Sequence, residues 1–143
     1  MDNISEAVSL FENGYNCSQA VLAASCERFG LSRDHALKLA SGFGGGIGHS
    51  GNICGALSGA CMLVGLAAGP ADPSDKAAKT KNYERIRAVC NKFAQQTGGI
   101  TCRELLGFDM STPEGQAASK QPGAFDQCSK FVRIAAQIAA ETI

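Results

Sequence analysis

The chain has 143 residues, 45% of them apolar, which suits a single hydrophobic core over the whole of 1–143. Thirteen basic and thirteen acidic residues cancel without a charge run, which argues against nucleic acid and against anionic membrane as partners. Aromatic residues are 6% and Trp is absent, so packing must rest on Leu, Ile, Val and Ala and on close approach of helices at Gly and Ala.

Apolar Ile4, Ala7, Val8 and Phe11 recur at helical spacing over Asn3–Glu12, and Asn13-Gly14 ends that helix. Asn16 is a cap for a second helix, Cys17–Phe29, with Val21, Leu22, Ser25 and Phe29 inward and Gly30 as its stop. Ser32 caps a third, running to about Ser41, with Ala36, Leu37 and Leu39-Ala40 turned to the core. Gly42 to Gly51 is too rich in glycine for regular structure.

Asn52 then caps an apolar central helix to Ala68, with Gly55, Ala56, Ser58, Gly59 and Ala60 as a small-residue side. That side can pack within the chain or across a homodimer. The segment is shorter than the ~20 residues of a membrane span, so a buried helix is expected, with no stable membrane insertion. Asp75 to Gln96 is amphipathic, with Tyr83, Ile86, Val89, Cys90 and Phe93 recurring on one side. Thr101 and Glu104 form a capping box that opens a short helix to Leu106. Phe108–Phe125, with two prolines, reads as an irregular loop. Asp126 caps a last helix, Gln127–Thr142. The fold class is all-α, a bundle of about seven helices around the central one.

Seven cysteines are many for this length. The first residues, MDNISEAVSLFENG, have no basic region and no signal-type apolar run, so a reducing cytosol is the expected compartment. There, metal binding or redox chemistry outweighs a structural disulfide framework, and an odd count argues the same way. Cys17, Cys54, Cys102 and Cys128 all fall in a predicted first helical turn. Unpaired N–H groups and the positive end of the helix dipole favour a thiolate there, so Cys54 is expected to be more acidic and more reactive than a buried structural thiol. Cys26, Cys61 and Cys90 are mid-helix, where a thiol behaves as a small apolar group. Cys17 and Cys26 fall on opposite sides of the predicted second helix, at ~100° per residue, so both cannot point into one site. Cys54 and Cys61 share a face but are separated by roughly 10 Å, too far for a disulfide.

No Cys-x-x-Cys pair is present, which excludes zinc-ribbon and thioredoxin-type motifs. Gly46, Gly48 and Gly51 satisfy a GxGxxG pattern, but no predicted strand precedes them and no βαβ unit follows, so nucleotide binding is weakly supported. Close backbone approach to Cys54 or to a bound cluster is the better role for the glycines. His49, in the same loop, and His35 on the third helix are both expected to be solvated. Arg103 beside Cys102 is expected at the surface.

Five stretches taken together carry a resemblance. They are Asn16-Cys17-Ser18-Gln19-Ala20-Val21, Gly42-Phe43-Gly44-Gly45-Gly46-Ile47-Gly48, Cys54-Gly55-Ala56-Leu57-Ser58-Gly59-Ala60, Cys102-Arg103-Glu104-Leu105-Leu106-Gly107, and the late Cys128. The chain resembles the C_GCAxxG_C_C family, whose members are described as redox-active, over nearly its whole length. The family's four shared cysteines correspond to Cys17, Cys54, Cys102 and Cys128, the four singled out above by helix position. A related domain occurs in the split-Soret type of cytochrome c, where it is associated with an iron–sulfur centre.

The resemblance implies electron transfer through an iron–sulfur cluster held by those four thiolates. Two alternatives use the same residues. One is thiol–disulfide exchange or redox sensing without a metal, Cys54 attacking and Cys17, Cys102 or Cys128 resolving. The other is a structural zinc site with all four cysteines as ligands. A redox partner protein or a small thiol is the expected partner.

Overall fold

The computed structural model describes residues 2–143. Among them are eight α-helices, one short 3-10 turn and no strand. Helix α1 is Asn3–Glu12, capped by Asp2, whose carboxylate accepts from Ser5 N at 2.7 Å. Helix α2 is Cys17–Ala23, opened by a capping box in which Asn16 Oδ1 accepts from Gln19 N and Gln19 Oε1 accepts from Asn16 N. The single helix expected over Cys17–Phe29 is broken. The chain leaves α2 at Ala24-Ser25 and re-forms as a 3-10 turn, Cys26–Phe29. Gly30, at φ +84°, ends it.

Helix α3 is Arg33–Ala40, capped by Ser32. Ala36 and Ala40 are buried as expected, but Leu39 is 59% exposed. Helix α4 is Gly55–Ala68, two residues shorter at its start than expected. Asn52 is therefore not its cap. Cys54 takes the N-cap place, and Asn52 lies in the preceding loop with its amide donating to Ser50 Oγ.

Helix α5 is Lys76–Thr97, capped by Asp75. Val89 and Phe93 are buried and Ile86 and Cys90 half-buried, while Tyr83 faces out. Helix α6 is Cys102–Leu106 and carries the expected capping box. Helix α7, Pro113–Ser119, lies where a loop was expected. Its signal is Thr112 followed by Pro113: a hydroxyl that caps Gly115 N, then a proline in the first turn, where its missing N–H costs nothing. Helix α8 is Cys128–Thr142. Gln127, not Asp126, precedes it and makes no side-chain cap bond.

The core is built around α4, which packs on α2, α5 and α8, while α1 closes the far side of α2 and α8. Small residues make this possible. Ala20, Ala56, Ala60, Ala135 and Ala139 are all buried, and Leu57, Val64, Phe93, Val132 and Ile138 fill the space between the helices. At Gly59 the axes of α2 and α4 come so near that a Cβ would stand 2.8 Å from Ser18 O and 3.1 Å from Val21 Cβ. The small-residue side of α4 is thus used within the chain. No helix among the described residues is long and apolar enough to cross a membrane.

Two glycines of α4 should respond to alanine with opposite signs. At Gly59 the clash is with backbone, which cannot step aside, so overpacking of about 1–3 kcal/mol outweighs the ~1 kcal/mol gain in helix propensity. Thermal unfolding of Gly59→Ala should move to lower temperature. At Gly65 nothing lies within 4 Å of an added Cβ, and Gly65→Ala should raise stability by about 0.5–1 kcal/mol.

Candidate functional site

Three of the four cysteines singled out from the sequence are the first residues of helices: Cys17 of α2, Cys102 of α6 and Cys128 of α8. The fourth, Cys54, sits one residue before α4. All four line one cavity of about 290 Å³. Phe11, Phe125 and Phe131 supply apolar wall, and the exposed Tyr15 and His49 line it on the side that reaches solvent. Cys61 and Cys90 are mid-helix as expected, but Cys26 is not: the break after Ala24 makes it the first residue of the 3-10 turn. None of the three lines the cavity.

Each cysteine is placed by a separate local device. Asn16, besides capping α2, donates from Nδ2 to Ser41 O at 3.1 Å, and Gln19 Nε2 donates to Leu37 O at 2.9 Å. The start of α2 is thereby tied to the end of α3. Cys54 and Cys102 are each positioned by backbone alone, through the pairing of their two segments. Cys54 N donates to Ile100 O at 2.8 Å and Cys102 N to Asn52 O at 2.7 Å, the two bonds of an isolated bridge between Ile53 and Thr101. Thr101 then caps α6, its hydroxyl donating to Glu104 Oε1 at 2.7 Å and accepting from Glu104 N at 3.2 Å.

The glycine segment is a left-handed turn. Gly45, Gly46, Ile47, Gly48 and His49 have φ of +63°, +75°, +62°, +62° and +56°. Five successive residues of this kind would be prohibitive without glycine, since L side chains lose about 1–2 kcal/mol per residue there. Backbone bonds from Gly51 N to Gly45 O and from Asn52 N to Gly46 O fold the segment onto itself. No strand precedes it, so the GxGxxG match is no dinucleotide fingerprint. What the glycines do is admit sulfur and backbone. A Cβ on Gly46 would meet Asn52 N at 2.5 Å and Cys102 Cβ at 2.8 Å. One on Gly55 would strike Cys17 Sγ and Phe43 O.

The expectation of an acidic Cys54 is overturned. Burial, and after it the neighbouring Cys17, push the free thiol up to about 12, against weaker opposing N–H donation from Leu57 and Ala56. The dipole of α4 does not outweigh the loss of water. Cys128 is pushed up to about 12 by burial and then by Cys17, Cys54 and Cys102. Cys102 rises to about 11 through burial, Cys17 and the carboxylate of Asp109. Cys17 is also raised by burial, with the N–H groups of Gly45, Ser18 and Ala56 pulling the other way. The four thiols feel one another's charge, so they form one electrostatic unit.

Among the described residues no three His, Cys, Asp or Glu side chains are grouped as a single metal ion would need. The four sulfurs are spread over the cavity wall. His49 is exposed, as expected, and its ring abuts Gly45. His35 is exposed and bonds to Ser32. Arg103 points away to Asp109, at 4.0 Å.

The architecture is that of an all-helical bundle with four cysteines gathered at helix starts beside a glycine turn. A family model described as "Putative redox-active protein (C_GCAxxG_C_C)" matches residues 15–142, and the chain belongs to that family. No curated protein and no solved structure matches the chain.

The α6 cap makes a pH prediction. Hydrogen bonds from the Thr101 hydroxyl and then from Thr101 N hold the Glu104 carboxyl below its ordinary 4.5. A depressed carboxyl stabilises the fold above its unfolded pKa, and this is lost as pH falls through the folded value. Glu104→Gln should therefore be less stable than wild type at neutral pH, with the gap in unfolding midpoint closing as pH is lowered from about 5 to about 3. Separately, Gly55→Ala should fold with Cys17 displaced, losing about 1–3 kcal/mol and whatever the four thiols jointly bind.

Proposed function

We propose that the protein carries electrons through an iron–sulfur cluster ligated by Cys17, Cys54, Cys102 and Cys128. The observation that carries this is the gathering of these four thiols, and no other cysteine, around one cavity. The donor set fits: both two-iron and four-iron clusters take four cysteine thiolates. Sulfurs spread around a cavity suit a group of several atoms better than one ion, which favours the cluster over zinc.

The electrostatics support the same conclusion. Burial, and after it repulsion among thiolates that face one cavity, raises the pKa values of Cys54, Cys102 and Cys128. A cationic centre among them turns the penalty into binding energy. The N–H groups of Gly45, Ser18 and Ala56 toward Cys17, and of Ala56 and Leu57 toward Cys54, offset the remaining negative charge. Phe11, Phe125 and Phe131 limit water at the site. When bound, the cluster supplies a one-electron couple. The chain's own residues hold it, tune it through N–H donation to sulfur, and leave the Tyr15 and His49 side open toward a redox partner protein or a small thiol.

A thiol raised to about 12 is a poor nucleophile at neutral pH, so Cys54 is a weaker candidate for metal-free thiol–disulfide exchange. Iron, zinc and acid-labile sulfide measured on protein purified without oxygen, with a visible spectrum, decide the matter. Iron with matching sulfide and colour bleached by dithionite is the expected result. A stoichiometric zinc content would replace the cluster with a structural site, and metal-free protein would leave thiol chemistry. Cys54→Ser should lose the cofactor, while Cys26→Ser, outside the cavity, should retain it.

A further inference from the structure

A second pair of cysteines faces across a different interface. Cys61 lies inside α4 and Cys90 inside α5, and their Sγ atoms are 4.0 Å apart. That is thiol–thiol contact between two helices that pack directly on one another. Both residues are half-buried, and neither lines the four-cysteine cavity. The remaining cysteine, Cys26, is buried and turned to its own backbone, its thiol donating to Ala23 O at 3.6 Å. The chain's cysteines thus divide into a group of four, a facing pair and one alone.

We propose that Cys61 and Cys90 are a redox-active dithiol, oxidised by a low-molecular-weight disulfide to an intramolecular bridge between α4 and α5. The bridge requires the sulfurs to close from 4.0 Å to the ~2.05 Å of a disulfide, with the two side chains turning toward one another across the α4–α5 contact. Burial, and after it the neighbouring Cys90, push the Cys61 thiol up to about 12, so the first step falls to Cys90. Its thiolate opens the small disulfide, forming a mixed disulfide and releasing one small thiolate. In the second the other protein thiolate attacks the protein sulfur of that mixed disulfide, forming the bridge and releasing the second small thiolate. The protein loses two electrons and two protons, and one small disulfide becomes two small thiols. The half-exposure of the pair gives the small disulfide access. Because the bridge cross-links two helices joined by a connecting segment, it restricts the unfolded chain and should raise the unfolding temperature. This inference is independent of what the group of four binds.

The test uses the full chain, purified reduced and equilibrated with graded ratios of oxidised to reduced glutathione. Remaining thiols are then blocked and the protein is cleaved with trypsin. Cys90 falls in the short fragment 88–92, and Cys61 shares the fragment 39–76 with Cys54. The expected product is a cross-link between these fragments, lighter than their sum by two hydrogens, with fragmentation placing the bond at Cys61. It should appear in proportion to the oxidised fraction and be reversed by dithiothreitol. Cys61→Ser and Cys90→Ser should each abolish it, and Cys26→Ser should not. Since the wild-type map needs no variant, misfolding of a variant cannot rescue or sink the idea. Cys90 recovered free, bound only to glutathione, or joined to Cys54 under fully oxidising conditions would overturn it.

Discussion

The bridge between Ile53 and Thr101 is the constraint on which the site depends. Two backbone bonds, from Cys54 N to Ile100 O and from Cys102 N to Asn52 O, join the end of the glycine turn to the start of α6. They fix Cys54 opposite Ile100 and Cys102 opposite Asn52, diagonal to each other across the bridge, without calling on any side chain. The arrangement requires the chain to turn sharply just before it, which the left-handed run from Gly45 to His49 provides. It also requires bare backbone where Gly46 meets Cys102 and where Gly55 meets Cys17. Sulfur chemistry here is positioned by the main chain, and the glycines are what let the main chain approach.

Helix α4 relates this site to the rest of the fold. Its first residues form the floor of the cavity, and its middle is the centre of the core. Close crossing with α2 at Gly59 brings Cys17 to the same end as Cys54, while packing on α8 brings Cys128 there as well. The few aromatic residues are placed accordingly: Phe93 fills the core, and Phe11, Phe125 and Phe131 border the cavity. The result is a group of thiols that share one cavity wall and are poorly solvated. As free thiols they resist ionisation, and as ligands they gain from any cation that replaces the missing water.

Most helices can be read from capping residues and apolar spacing. Asn16, Ser32 and Thr101 all cap as their types predict, and Asp75, read as the start of an amphipathic segment, caps α5. The departures have local reasons. Helix α4 begins late because the Ile53–Thr101 bridge holds the chain extended until Cys54. Helix α2 ends early at Ala24-Ser25, where nothing in the apolar pattern marks a break. Helix α7 is hidden in the sequence because Pro113 and the nearby Pro122 also signal a loop, although Thr112-Pro113 is a helix start. Tyr83 and Leu39 show that spacing identifies a face without showing how far the neighbouring helix reaches along it.

The residues of the site are legible as a set, since Cys17, Cys102 and Cys128 each open a helix and Cys54 lies one step before one. By itself the sequence determined an all-helical chain, the caps Asn16, Ser32 and Thr101, and a set of four cysteines set apart from the other three, because these are properties of neighbouring residues. Only the tertiary structure decided that the four share one wall, that Cys54 is raised rather than lowered in pKa, and that Cys61 meets Cys90. Those outcomes depend on how far water is excluded and on which helices cross, and both are set by contacts between residues distant in the chain. A helix dipole can be read from a cap and a few following residues. The desolvation that opposes it exists only once the other helices have closed around the thiol.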